Sequence, residues 1–88
     1  MDIKKNSSAG TLESNDCFVT LKIKPNGGTT VQLKSSVYKQ FGEHIIGLVE
    51  RVLDQANLDH VSVVINDRGA LDYTLKARLA TAIERACE

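Results

Sequence analysis

Nucleophiles crowd the N-terminal end of this 88-residue chain. Residues 6–16 hold Ser7, Ser8, Thr11 and Ser14 in a polar run with Asn6, Ala9, Gly10 and Asn15. A serine hydroxyl at its ordinary pKa becomes a nucleophile only when a positioned base takes its proton. Glu13 and Asp16 flank Ser14, but an exposed carboxylate is a weak base. Two negative charges also repel an approaching phosphate electrophile. By residue type alone the three serines are equal, and each reads as a turn residue whose hydroxyl bonds the nearby backbone. Any covalent attachment here requires a second enzyme that brings its own base, metal and groove.

The remaining reactive side chains form no constellation. His44 and His60 have no second ligand at metal spacing, and Cys17 and Cys87 stand 70 positions apart, so no zinc pattern exists. Both histidines read as polar surface residues. Ser14, His44 and Asp72 supply a Ser-His-Asp triple on paper, but a serine on a loose arm cannot hold catalytic geometry. Lys22, Lys24 and Lys34 fall on the outer face of two adjacent alternating segments. They read as a solvated sheet face whose charges guard an edge; the alternative is a docking patch for an acidic partner or for phosphates. Arg68 carries the same ambiguity.

The elements that must position these residues follow from the pattern. Residues 1–15 lack periodicity and read as a flexible N-terminal arm, with Gly10 loosening its backbone. Cys17 to Lys24 alternates, with Cys17, Val19, Leu21 and Ile23 on one face, which is the period of a half-buried strand. Pro25-Asn26-Gly27-Gly28 then reads as a hairpin turn, and Thr29 to Lys34 as its second strand with Val31 and Leu33 inward. Ser35 or Ser36 is placed to cap a helix. Along that helix Val37, Phe41, Ile45, Leu48, Val49, Val52 and Ala56 recur every three or four residues. Gly42 lies on its apolar side, where it allows a close approach to the sheet or a break, and Asn57 suits a left-handed C-terminal position. His60 to Asn66 reads as a third strand facing inward through Val61, Val63 and Ile65. Asp67-Arg68-Gly69 forms a turn, and Asp72 caps a last helix burying Leu71, Leu75, Leu79, Ile83 and Ala86. The expected fold is α+β: a two-layer sandwich in the order ββαβα, with a three-stranded sheet and both helices on one face. Residues 16–88 make one domain.

Composition narrows the function classes. Eleven basic and eleven acidic residues cancel, so no overall field draws in nucleic acid or an anionic membrane. No stretch approaches the ~20 apolar residues of a bilayer span. Lys4 and Lys5 are followed by no apolar run, so no secretory signal is read; the expected location is the cytoplasm, where two thiols form no structural disulfide.

Two motifs in fixed order go further. Ala9-Gly10-Thr11-Leu12-Glu13-Ser14-Asn15-Asp16, then the strand and the Pro-Asn-Gly-Gly turn, then Asp67-Arg68-Gly69-Ala70-Leu71-Asp72, resemble the acyl carrier subunit (gamma chain) of bacterial citrate lyase. The resemblance runs from about residue 9 to the C-terminus. It implies a non-catalytic carrier subunit in which Ser14 holds 2'-(5''-phosphoribosyl)-3'-dephospho-CoA through a phosphodiester. It implies no metal and four partners: the alpha (acyl transferase) and beta (acyl lyase) subunits, a holo-carrier synthase that attaches the arm, and an acetate ligase that acetylates its thiol. In that scheme acetyl is exchanged for citrate, and the citryl thioester is cleaved to oxaloacetate and acetyl thioester. The Asp-Ser-Leu motif of the four-helix fatty-acid carriers is absent. The alternatives are the analogous carrier of malonate decarboxylase and a non-modified interaction domain that binds through its basic face.

Overall fold

Alternation in the sequence does produce strands, but the sheet they build differs from the expected one. The computed structural model describes residues 2–88. Its elements are β1 (Ser7–Gly10), β2 (Cys17–Ile23), β3 (Thr29–Ser35), α1 (Tyr38–Gln55), β4 (Val61–Asp67) and α2 (Asp72–Cys87). The class is α+β as expected, with four strands rather than three, in the order β1-β2-β4-β3. Cys17, Val19 and Leu21 of β2 and Val61, Val63 and Ile65 of β4 are wholly buried on one face. Ile23, expected on the same face, is exposed at the end of its strand. α1 packs on β3, α2 on β1 and β2, and the two helices touch.

The expected hairpin between β2 and β3 does not form. β4 lies between them, antiparallel to β2 and parallel to β3. Residues 24–28 cross over the start of β4: Lys24 N–H donates to His60 O at 2.8 Å, and Val61 N–H donates to Gly28 O at 3.2 Å. Spanning two strand spacings requires roughly 10 Å, which a five-residue connection provides and a two-residue turn does not. The positive φ of Gly27 and Gly28 serves this crossing. β4 takes the centre because its inner row holds Val61, Val63 and Ile65 in succession, so a neighbour on each side removes the most surface from water. β3 enters α1 and returns as β4, the parallel pairing that a helical crossover permits.

The fourth strand comes from residues expected to be a flexible arm. Ser7–Gly10 pairs antiparallel with Phe18–Leu21. Ser7 Oγ donates to Ala82 O of α2 at 2.6 Å. Further towards the N-terminus Ile3 is buried, and Lys4 and Lys5 N–H both donate to Ala86 O. The two apolar side chains Ile3 and Ala9 thus anchor a stretch whose polarity masks them. Gly10 does not loosen the chain. At φ +106° it brings the backbone so close that a Cβ would overlap the Cys17 carbonyl oxygen.

Neither helix starts where its expected cap would place it: α1 begins later and α2 one residue earlier. α1 begins after Val37, and Ser35 Oγ accepts the Val37 N–H at 3.1 Å just before the helix rather than capping it. Phe41 stays half exposed, while Leu53 joins Ile45, Leu48 and Val49 in the core. The helix is unbroken at Gly42, whose missing Cβ is replaced by the Tyr38 ring one turn back. Its C-terminus does end on Asn57 at φ 54°. There Leu58 N–H donates to Leu53 O and Asn57 N–H to Asp54 O, the paired bonds of a Schellman motif, with Leu58 and Leu53 both buried. α2 starts at Asp72 with Leu71 as an exposed N-cap, so Asp72 is not the cap and Leu71 is not core. Leu75, Leu79, Ala82 and Ala86 form its buried stripe.

Leu48→Ala and Leu79→Ala are each expected to destabilise the domain by ~2–5 kcal/mol, as large-to-small changes in a closed core do. Gly10→Ala is expected to destabilise as well, because the added methyl meets backbone that cannot move without breaking the β1–β2 ladder. Denaturant titrations check all three, and an unchanged midpoint for any one contradicts the packing described for that residue.

Candidate functional site

Residues 11–16 connect β1 to β2 and form a short, heavily bonded loop. Asp16 N–H donates to Glu13 O at 3.2 Å. That closes a β-turn with Ser14 and Asn15 at its two central positions. Asn15 has φ 64°, the left-handed conformation that a type II turn needs at its third position and that asparagine tolerates. Ser14 is therefore held at the turn's outer corner, exposed, and its hydroxyl makes no hydrogen bond among the described residues.

Asp16 fixes this corner to the rest of the fold. Arg78 of α2 forks onto it, Nε to Oδ1 at 3.0 Å and Nη2 to Oδ2 at 2.6 Å. Thr11 Oγ1 donates to Oδ2 at 2.7 Å, and Cys17 N–H donates to Oδ1 at 2.8 Å. The bonds from Arg78, Thr11 and Cys17 hold the carboxyl well below the usual carboxylate range. A carboxylate so stabilised in its ionised form is a poor proton acceptor. The side chain nearest Ser14 that looked able to act as a base is thus a brace.

A second turn supports the first. Asn15 N–H donates to Arg68 O at 2.7 Å, and Arg68 N–H donates to Asp16 O at 2.9 Å. That turn is itself shaped by Asp67, which is almost wholly buried at the end of β4. Its carboxylate accepts from Gly69 N–H, Ala70 N–H and Ser35 Oγ. The late motif therefore has its structural part in Asp67 rather than in Asp72. Asp72 instead accepts from His44 Nε2, or pairs with it when the ring is protonated, at 2.8 Å. Two members of the rejected Ser-His-Asp triple do meet, but Ser14 bonds to neither.

The three serines of the N-terminal run are separated by their surroundings. The Ser7 hydroxyl is used on α2, and Ser8 sits in the ladder opposite Thr20. Cys17 is buried at the base of the loop, and burial pushes its thiol up to about 11, which removes it as a nucleophile. Among the described residues no cluster could hold a metal ion, and no helix is long and apolar enough to cross a membrane. His60 pairs with Asp2 at 3.1 Å and ties down the start of the chain. The lysines do not converge. Lys22 lies opposite Ser62 and Lys34 opposite Asn66, which sets them roughly 13 Å apart along the strand direction and two strands apart across the sheet. Arg78 and Asp67 were missed in the sequence. An aspartate two and three residues before backbone donors is a local signal for Asp67, whereas nothing local links Arg78 to Asp16.

Residues 4–86 match a family model described as ACP, malonate decarboxylase delta subunit (MdcD). The chain is similar to citrate lyase acyl carrier proteins. That of Streptococcus mutans is 48% identical over 100% of this chain and 86% of the relative. That of Treponema denticola is 46% identical over 100% and 99%, and that of Halothermothrix orenii 44% over 98% and 90%. A chain in the crystal structure of a Pseudomonas malonate decarboxylase hetero-tetramer in complex with malonate shares the fold. Its TM-score is 0.74 at 21% identity, over 94% of this chain and 84% of that one.

The Asp16 pairing predicts a pH dependence with a definite sign. Because folding lowers this pKa, Asp16 contributes its full stabilisation above the unfolded value of roughly 4. As pH falls below that value the unfolded state takes up a proton first, and the contribution is lost progressively. Asp16→Asn is expected to lower stability at pH 7 and to flatten its decline in acid. Denaturant midpoints measured against pH check this; parallel profiles for wild type and variant contradict it.

Proposed function

Because the chain belongs to this acyl carrier family, we propose that it is the acyl carrier subunit of a citrate lyase complex, loaded on Ser14. Identity of 41–48% over nearly the whole chain to citrate lyase acyl carrier proteins carries the reading. The malonate decarboxylase alternative has weaker support, since the related chain in that complex is 21% identical.

The surroundings of Ser14 fit a phosphodiester-linked group. The hydroxyl is exposed on a rigid corner, so a bulky group attaches without displacing core. Arg78 neutralises Asp16, which reduces the charge that an incoming phosphate meets. The proposed group is 2'-(5''-phosphoribosyl)-3'-dephospho-CoA, which supplies a terminal thiol for acyl groups when bound. Asp16 accepts protons poorly, and among the described residues no base bonds the Ser14 hydroxyl. Loading therefore falls to a holo-carrier synthase acting on the presented corner, and acetylation of the thiol to an acetate ligase. The alpha and beta subunits carry out the chemistry. What this chain contributes is a fixed root for a tether, which raises the effective concentration of the acyl group at both active sites.

Ser14→Ala is expected to abolish loading and leave the fold intact, because the hydroxyl it removes makes no bond among the described residues. Ser8→Ala is expected to load normally. Ser7→Ala also loads, at a cost in stability of ~1 kcal/mol for its lost bond to α2. Each variant is incubated with the synthase and precursor and then weighed intact. Mass gained by Ser14→Ala, or mapped by fragmentation to another residue, contradicts the assignment.

A further inference from the structure

The turn at residues 68–71 has two sides. One grips the Ser14 loop through the backbone bonds of Arg68 to Asn15 and Asp16. The other forms a wall of an open groove of about 500 Å³, where Ala70 and Leu71 face Phe41 of α1 and Tyr73 of α2. Phe41, Leu71 and Tyr73 are 52%, 58% and 72% exposed. Three large apolar side chains meeting on one small surface mark a binding site more often than chance exposure. The His44–Asp72 pair also lines the groove and gives it one polar wall. Arg68 is exposed and forms no ion pair among the described residues, whereas Arg78 and Arg85 are engaged with Asp16 and with the Ser8 carbonyl.

We propose that this groove is the resting site of the chain's own prosthetic arm, with Arg68 pairing the linking phosphate and the apolar walls covering the adenine. The inference rests on attachment at Ser14. The occupant follows from continuity, since the attachment corner and the groove share one turn. It also follows from the chemistry of each part. A guanidinium without a partner matches a phosphodiester placed on the adjoining loop. A planar base suits a groove with two aromatic walls, whereas citryl groups carry carboxylates that an apolar groove excludes. The adenine lies near the root of the arm and the thiol at its far end, so a held base leaves the acyl group free to travel.

The test is NMR of the carrier before and after enzymatic loading, with intact mass and fragmentation confirming the arm on Ser14. The expected result is a shift of the Arg68 Nε–Hε signal and of the Phe41 and Tyr73 ring signals, with cross-relaxation between the adenine protons and those rings, all unchanged on dilution. Tyr73→Ser is expected to load at Ser14 and to lose the Phe41 cross-relaxation along with its own. Confirmed loading with shifts confined to residues 12–16 overturns the inference and leaves the attachment site standing. Shifts that fade on dilution place a second copy in the groove, and shifts that appear only when a partner subunit is added place that subunit there; either overturns it. An arm mapped to another residue overturns the attachment reading first.

Discussion

The buried row on β4 is the constraint on which the other elements depend. Val61, Val63, Ile65 and Asp67 all face inward and are almost wholly removed from water. Three apolar side chains in a row need a strand on each side and a helix layer above. That need separates β2 from β3 and draws α1 and α2 onto one face. The row ends on a carboxylate, and burying a carboxylate is costly unless hydrogen bonds replace its hydration. Asp67 obtains them from the turn that follows and from Ser35. The same residue that closes the core thus shapes the 68–71 turn.

From that turn, order passes outward to the loop bearing Ser14. Asp67 lies in register with Cys17 and with Ser35, so the start of β2 and the ends of β3 and β4 meet at one end of the sheet. The Arg68 backbone grips Asn15 and Asp16 at this end, and Arg78 reaches the same point from α2. A fork of two charge-assisted bonds fixes direction as well as distance. The result is a polar corner as well anchored as a strand end, with one hydroxyl left over. For a tether this arrangement has a clear use. An arm rooted at Ser14, as proposed, would start from a fixed point, so the volume searched by its acyl group would be set by the arm and not by loop motion.

Much of the fold was legible in the sequence because burial writes a period into it. The faces of β2 and β4 and the stripe of α2, apart from the exposed Ile23 and Leu71 at their ends, and the left-handed Asn57 follow from residues within a few positions of one another. The strand order did not, because Asn26-Gly27 between alternating segments signals a turn without saying which strands it joins. The stretch before Asp16 misled for a different reason. Ile3 and Ala9 are only two apolar anchors in a polar run, and beyond the ladder of β1 with β2 the bonds that hold this stretch come from Ala82, Ala86 and Arg85, far along the chain. The site divided in the same way. The resemblance singled out Ser14, which the residues alone did not distinguish from Ser7 and Ser8. The brace from Arg78 spans 62 positions and leaves no local mark.

On the proposed reading the chain acts by position. Asp16 braces the loop and Asp67 shapes the turn beneath it, the cysteine at the loop is buried, and the exposed hydroxyl bonds to no base among the described residues. The central claim is that this hydroxyl is the root of the arm. Mass spectrometry of the carrier isolated from its own assembled complex tests that most directly, because the arm is then attached by the cell. The account predicts that the peptide containing Ser14 carries the whole added mass and that Ser7 and Ser8 carry none. An active complex whose carrier has the unmodified mass, or an arm located on any other residue, contradicts it.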